Sequence, residues 1–148
     1  MIIQTSQLAS LAGQVTMVDG SFDPLHDGHI AYFRAAAQLG LPVLCNIAAD
    51  DWTASKHPVL LSQAQRAEVI DAVRYIDYVH LSHSSTLEVL NTLKPKIYAK
   101  GNDWLERGGI PAAERNACES SDTTVQYLDT VLNSSSQLLR QWKLDDTR

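Results

Sequence analysis

GSFDPLHDGHIAYFRAAAQLG, from Gly20 to Gly40, is the stretch on which the fold turns. Just before it, Val15, Met17 and Val18 form a short apolar run that reads as a buried strand. Asp19, Gly20, Asp23 and Pro24 then supply turn chemistry. From Gly28 to Leu39 the apolar positions Ile30, Phe33 and Ala37 recur at helical spacing, and Gly40 ends the run. His26 and His29 therefore fall in the turn and the first turn of a helix that follows a strand. The leading N–H groups of a helix lack intrahelical partners and carry partial positive charge, so they attract phosphate. Paired imidazoles at that end are suited to holding a polyphosphate and to neutralising charge that builds on it. The plainer role of the same histidines is to cap the helix or to ligate a structural metal.

The pattern outward from this stretch alternates. Residues 1–14 read as a lead-in helix capped by Thr5 or Ser6 and ended by Gly13. Pro42 to Ala49 is a near-continuous apolar run, suited to a central parallel strand covered on both faces. Trp52 to Leu61 reads as a loop, and Ser62-Gln63-Ala64-Gln65 as a capping box opening a helix to about Tyr75. Tyr78 to Leu81 is a third strand, and Ser85 opens a helix through Leu93. Lys96 to Lys100 is a fourth strand, followed by a glycine-containing loop and a short helix over Ala112 to Ala117. Thr124 to Leu128 is a fifth strand, and Ser134 to Trp142 a last helix before a loose polar tail at 143–148. This predicts an α/β, Rossmann-like single domain over residues 1–148, with a mainly parallel five-stranded sheet and helices on both faces. Ligands of such sheets bind at the carboxyl ends of the strands, near the point where strand order reverses.

Bulk properties narrow the function. The chain has 148 residues, a net charge of −5, 45% hydrophobic and 20% charged content, ordinary for a globular protein. It has no basic run, which argues against nucleic acid as a partner. No apolar run approaches the ~20 residues of a membrane span. The first basic residue is Arg34, unlike the charged start of a signal peptide, and the two cysteines include Cys45 inside an apolar run. A reducing, cytoplasmic setting is the expectation.

The ten residues from Gly20 to His29 read G-x-F-D-x-x-H-x-G-H, and this pattern resembles the cytidylyltransferase-like nucleotidyltransferases. In that family the His-x-Gly-His signature binds nucleotide phosphates and stabilises the transition state of nucleotidyl transfer. The resemblance spans about residues 15–142. It implies His26, His29 and Lys56 as catalytic residues. Ser21, Phe22, Gly28, Arg66, Gly101, Asp103, Trp104, Ser134, Ser135 and Ser136 join the two histidines in nucleotide binding. Lys56 follows the second strand, where relatives place lysines that contact substrate or triphosphate. They often carry another lysine where this chain has Pro58. Gln63-Ala64-Gln65-Arg66 is close to the family's Glu-x-Arg or Gln-x-Arg, and a guanidinium suits bidentate phosphate contact. A surface salt bridge is its plain alternative. Lys100-Gly101-Asn102-Asp103-Trp104 resembles the family's K-G-G-D or G-D-D-W segment. Asp103 there is placed to accept from ribose or help hold a metal, and Trp104 to stack on a base or serve as core. Ser134 to Ser136 resemble the serine motif that opens the last helix beside the triphosphate.

The resemblance implies a nucleoside triphosphate with Mg²⁺ and a phosphorylated small molecule as ligands. Relatives are often dimers, which leaves a homodimer open. Two branches compete. One is the adenylyltransferase domain of ADP-heptose synthesis, which has K-G-x-D and a lead-in helix. The other is glycerol-3-phosphate cytidylyltransferase, resembled by Asp103-Trp104 and by Arg74-Tyr75. The first is the closer fit, ATP and CTP are not distinguished, and a nucleotide-binding module without turnover is the non-enzymatic alternative. His57, His80 and His83 read as structural or surface residues, and the chain carries no metal-ligand cluster of the CxxC type.

Overall fold

Alternation along two strands sets the layers. In β2 (Thr16–Gly20), Met17 faces one way and Val18 the other. In β3 (Val43–Ile47), every residue is buried, with Leu44 on Met17's side and Val43, Cys45 and Ile47 on the other. A strand covered on both faces needs helices above and below it. The computed structural model, which describes residues 1–130 and 135–146, supplies them. On one side α1 (Asp27–Ala37) and α3 (Gln63–Asp71) contribute Phe33, Ala36, Ala67 and Ile70. On the other, a 3-10 helix (Thr5–Leu11), α4 (Thr86–Leu93) and α6 (Ala112–Ser120) contribute Leu8, Val89, Leu90, Leu93 and Cys118.

Among the described residues the sheet has six strands, all parallel, in the order β1-β4-β3-β2-β5-β6, where β1 is Ile2–Ile3. β4 is Tyr78–Leu81, β5 is Ile97–Gly101 and β6 is Thr124–Leu128. The chain builds outward from β2 to β4, then returns to the other side of β2 with β5, so strand order reverses between β2 and β5. Those two strands pair only at Thr16↔Ile97 and Met17↔Tyr98, whereas β2 pairs with β3 along all five residues to Gly20↔Ile47. Beyond Met17 and Tyr98 the ladder stops, and the carboxyl ends of β2 and β5 part.

Five expectations from the sequence are corrected. The sixth strand is β1 (Ile2–Ile3), on the edge beside β4, so the lead-in is a strand followed by a 3-10 helix capped at Gln4. Asp50–Ala54 form a short helix, α2, where a loop was expected from Trp52. α3 stops at Asp71, four residues before the expected Tyr75, although Ser62 caps it with the reciprocal Gln65 contact as anticipated. Asn102–Glu106, expected as loop, form α5. α7 (Ser135–Asp146) carries the chain past the expected loose start at Lys143, and 147–148 lie outside the described residues. No helix among the described residues is long and apolar enough to cross a membrane.

Candidate active site

The part between β2 and β5 opens into a cavity of about 530 Å³ at the carboxyl end of the sheet. The residues after β2 form its first wall. Phe22 takes a left-handed φ of 53°, folding its ring back over Gly20; a Cβ on Gly20 would lie 3.1 Å from that ring. The same ring meets Phe33 and His29 edge-on, at 5.1 and 5.0 Å between centroids. Asp23 is fully buried, and its carboxylate accepts from the backbone N–H groups of Leu60 and Leu61 at 2.8 and 3.0 Å. That pair of bonds holds the segment carrying Lys56 and His57 against the cavity rim.

His26 and His29 cap α1 reciprocally. His26 Nδ1 accepts from the Gly28 N–H at 3.1 Å, and the His26 N–H donates to His29 Nδ1 at 3.3 Å. The rings stack, 3.8 Å between centroids and 24° apart in tilt. An accepting Nδ1 leaves the proton of a neutral imidazole on Nε2, so both rings present Nε2–H donors. His26 Nε2 is buried without a partner among the described residues. Burial lowers both histidines from their usual range, and His29, with His26 beside it, falls to about 3. The pair is therefore neutral in the ligand-free protein at physiological pH. It is a pair of neutral dipoles at a helix N-terminus, where the buried His26 Nε2 has no partner among the described residues.

The facing wall comes from β5 and α5. Lys100 donates to Asp19 Oδ1 at 2.8 Å, and the pair is about nine-tenths buried on both sides. Asp19 also accepts from Tyr98 at 3.2 Å and from Thr86 at 2.8 Å. The Tyr32 hydroxyl donates to the carbonyl of Ala99, a β5 acceptor beyond the end of the β2–β5 ladder. Burial, with Asp19 nearby, pushes the Tyr32 and Tyr98 hydroxyls well above their usual range, so both stay neutral donors. Asp103 pairs with Arg107 at 3.6 Å, and the Trp104 ring has the Lys100 ammonium 4.5 Å from its centre. Lys56 lies 5.4 Å from the Trp52 ring; burial and the nearby Lys100 charge lower its ammonium. At the third edge the Ser135 hydroxyl donates to the Pro24 carbonyl at 2.8 Å, tying the start of α7 to the turn before α1.

Of the residues singled out from sequence, Ser21, Phe22, His26, Gly28, His29, Lys56, Gly101, Asp103, Trp104 and Ser135 all line this cavity. Ser134 lies outside the described residues, and Ser136 falls in the first turn of α7. Arg66 is elsewhere. Its fully buried guanidinium donates to the carbonyls of Leu61, Ser21 and Ala48 and to Asp50, at 2.6–3.0 Å. It clamps the ends of β2 and β3 together behind the wall rather than reaching into it. The sequence reading missed Asp19, taken only as a turn former, and His57 and Arg107, which carry no local signal. Lys100 was in view inside the quoted KGNDW segment.

Among the described residues no three His, Cys, Asp or Glu side chains are grouped to hold a metal. Asp19 is engaged by three donors and Asp103 by Arg107. A Mg²⁺ ion bound mainly through substrate phosphates needs no all-protein cage. It therefore fits this cavity as part of the incoming nucleotide.

The family model described as cytidylyltransferase-like matches residues 17–138. The bifunctional protein HldE of Pelobacter propionicus is 34% identical over 128 residues, 83% of this chain and 25% of the relative. HldE of Trichlorobacter lovleyi is 36% identical over 102 residues, 66% of this chain and 21% of its own length. The chain thus spans about a quarter or less of these relatives. FAD synthase of Pyrococcus abyssi is 35% identical over 91 residues, 59% of this chain and 62% of the relative. A crystal structure of the lipopolysaccharide core biosynthesis protein from Thermoplasma volcanium superposes with a TM-score of 0.67 at 22% identity, covering 80% of this chain and 98% of that one. That likeness concerns the fold alone. With the matched span running from β2 through the histidine pair into α7, the chain belongs to the cytidylyltransferase-like family of nucleotidyltransferases.

Proposed function

We propose that this chain transfers NMP from a nucleoside triphosphate to a phosphorylated small molecule, with ATP as the donor and a sugar 1-phosphate of the heptose type as the acceptor. The observation that carries the transfer is the paired histidine cap at a helix N-terminus, where His26 and His29 line the cavity and the buried His26 Nε2 has no partner among the described residues. In the reaction an acceptor phosphate oxygen attacks the α-phosphorus in line. The bond from that phosphorus to the bridging oxygen breaks, and pyrophosphate leaves with the electron pair. The acceptor is already an anion, so no general base is required. The protein's contribution is position and charge stabilisation. Mg²⁺ enters with the triphosphate. The heptose choice is supported by the HldE relatives and by the K-G-x-D sequence at the end of β5.

A pyrophosphate-release assay tests this. The protein is incubated with Mg²⁺, ATP or CTP, and in turn a heptose 1-phosphate, glycerol 3-phosphate and FMN. Release that needs ATP and the sugar phosphate supports the reading. Release with CTP and glycerol 3-phosphate replaces it with the polyol branch, and nucleotide binding without release replaces it with a binding module.

A further inference from the structure

The opening between β2 and β5 is spanned by one ion pair. Were the β2–β5 register to continue past Met17↔Tyr98, Asp19 would stand opposite Lys100; instead the strands have parted there and the two side chains reach across. Asp19 is held from three directions, by Lys100, Tyr98 and Thr86, which fixes its carboxylate. Lys100 has Asp19 as its one carboxylate partner among the described residues, and its ammonium faces the Trp104 ring inside the cavity. An ammonium has three N–H donors on a mobile stem. One of these goes to Asp19. A rigid anion, a cation with donors to spare and a cavity form a holder and a probe, not a closed pair.

We infer that Lys100 is the residue that receives the acceptor's phosphate group, and that Asp19 positions it. This rests on the nucleotidyl-transfer reading and extends it to the second substrate. In-line attack puts the acceptor across the α-phosphorus from the departing pyrophosphate. The histidine pair and the start of α1 belong to the β2 wall and Lys100 to the β5 wall, so a donor pair and a buried cation meet the cavity from different strands. Asp19 keeps Lys100 from following the triphosphate. It also balances the ammonium's charge until the acceptor arrives.

The Trp104 ring, 4.5 Å from the ammonium, supplies a spectroscopic reporter. In a Trp52→Phe, Trp142→Phe background, Trp104 emission is recorded as inorganic phosphate is titrated into protein saturated with a non-hydrolysable ATP analogue and Mg²⁺. Phosphate is expected to change the emission, and Lys100→Met to weaken phosphate binding at least tenfold with analogue affinity within twofold of the parent. Asp19→Asn is expected to tighten phosphate but lower kcat about tenfold, a split that a purely structural ion pair would not give. Lys100→Met leaves the buried Asp19 carboxylate without its counter-charge, so Asp19→Asn/Lys100→Met, which removes both charges, is measured beside it to guard against simple unfolding. Unchanged phosphate binding in the double variant overturns the inference, and so does a loss that falls on the analogue instead. The titration reads binding alone. Absence of pyrophosphate release by the wild-type protein would therefore defeat the proposed reaction without deciding the assignment of Lys100.

Discussion

The ring of His26 lies stacked on that of His29, 3.8 Å between centroids, while each Nδ1 is occupied by a backbone N–H of the same helix turn. One pair of side chains thus caps α1 through Nδ1 and lines the cavity with Nε2 left over as a donor, and the two roles are separable by substitution. His29→Ala is expected to lower the single-turnover rate by about 10²–10³, the usual loss for one preorganised donor. His26→Asn keeps a side chain that caps well but withdraws the ring. Its thermal midpoint is expected to stay near that of the parent while turnover falls, as calorimetry and the pyrophosphate assay would record together.

The same burial sets a pH dependence. His29 falls from 6.5 to about 3 on folding, so between those values the unfolded chain binds a proton that the folded chain refuses. Stability therefore rises with pH through that window, is fully present above 6.5, and is lost as pH falls toward 3. His29→Gln is expected to flatten urea-unfolding free energy between pH 6.5 and pH 4 relative to the parent. A triphosphate beside the rings favours their charged form, so ATP binding near pH 6 is expected to take up protons. Calorimetry in buffers of different ionisation enthalpy measures that uptake.

Arg66 tests a different link, from packing to stability. Arg66→Met removes the donor to three carbonyls and to Asp50. Leaving buried acceptors unpaired costs about 1–3 kcal/mol each where no water reaches them. A loss of about 3 kcal/mol or more in unfolding free energy is expected. Nucleotide affinity of the folded fraction, measured below the transition, is expected to stay within a few-fold of wild type, because the guanidinium does not line the cavity. A large affinity loss at unchanged stability would instead restore the phosphate-ligand role that its sequence context suggests.

Asp23→Ala frees the N–H groups of Leu60 and Leu61. The segment carrying Lys56 then loses its tether to the turn before α1. Limited trypsin digestion is expected to cut after Lys56 several-fold faster, and bound ATP to slow that cleavage in the parent but hardly in the variant.

The sheet was legible because its strands are long enough to show their pattern. Val43 to Ile47 is apolar throughout apart from Asn46, and both faces are covered. The histidine turn was legible because strand, turn residues and helix occur in uninterrupted order. Ile2–Ile3 was not, since two residues carry no period, and only their pairing with Val79 and His80 makes them a strand. The five-residue helices at Asp50 and Asn102 fail for the same reason. Arg66 misled because nothing in Gln-Ala-Gln-Arg separates an exposed guanidinium from a buried one. Its surroundings are decided by carbonyls at Ser21 and Ala48, 45 and 18 residues away. Asp19 was hidden likewise, its partners Thr86, Tyr98 and Lys100 all lying beyond any local window.

The early end of the β2–β5 ladder has a consequence for how such a protein changes its diet. The crevice opens where two strands stop pairing, after Met17 and Tyr98, and side chains line its lips. Exchanging residues on those lips alters what is admitted without asking the sheet to be rebuilt. On the proposed transfer, substitutions at Asp103 and Arg107 change the lips of the crevice while Asp19 and Lys100 keep the phosphate contact, whereas moving the opening itself would require another topology.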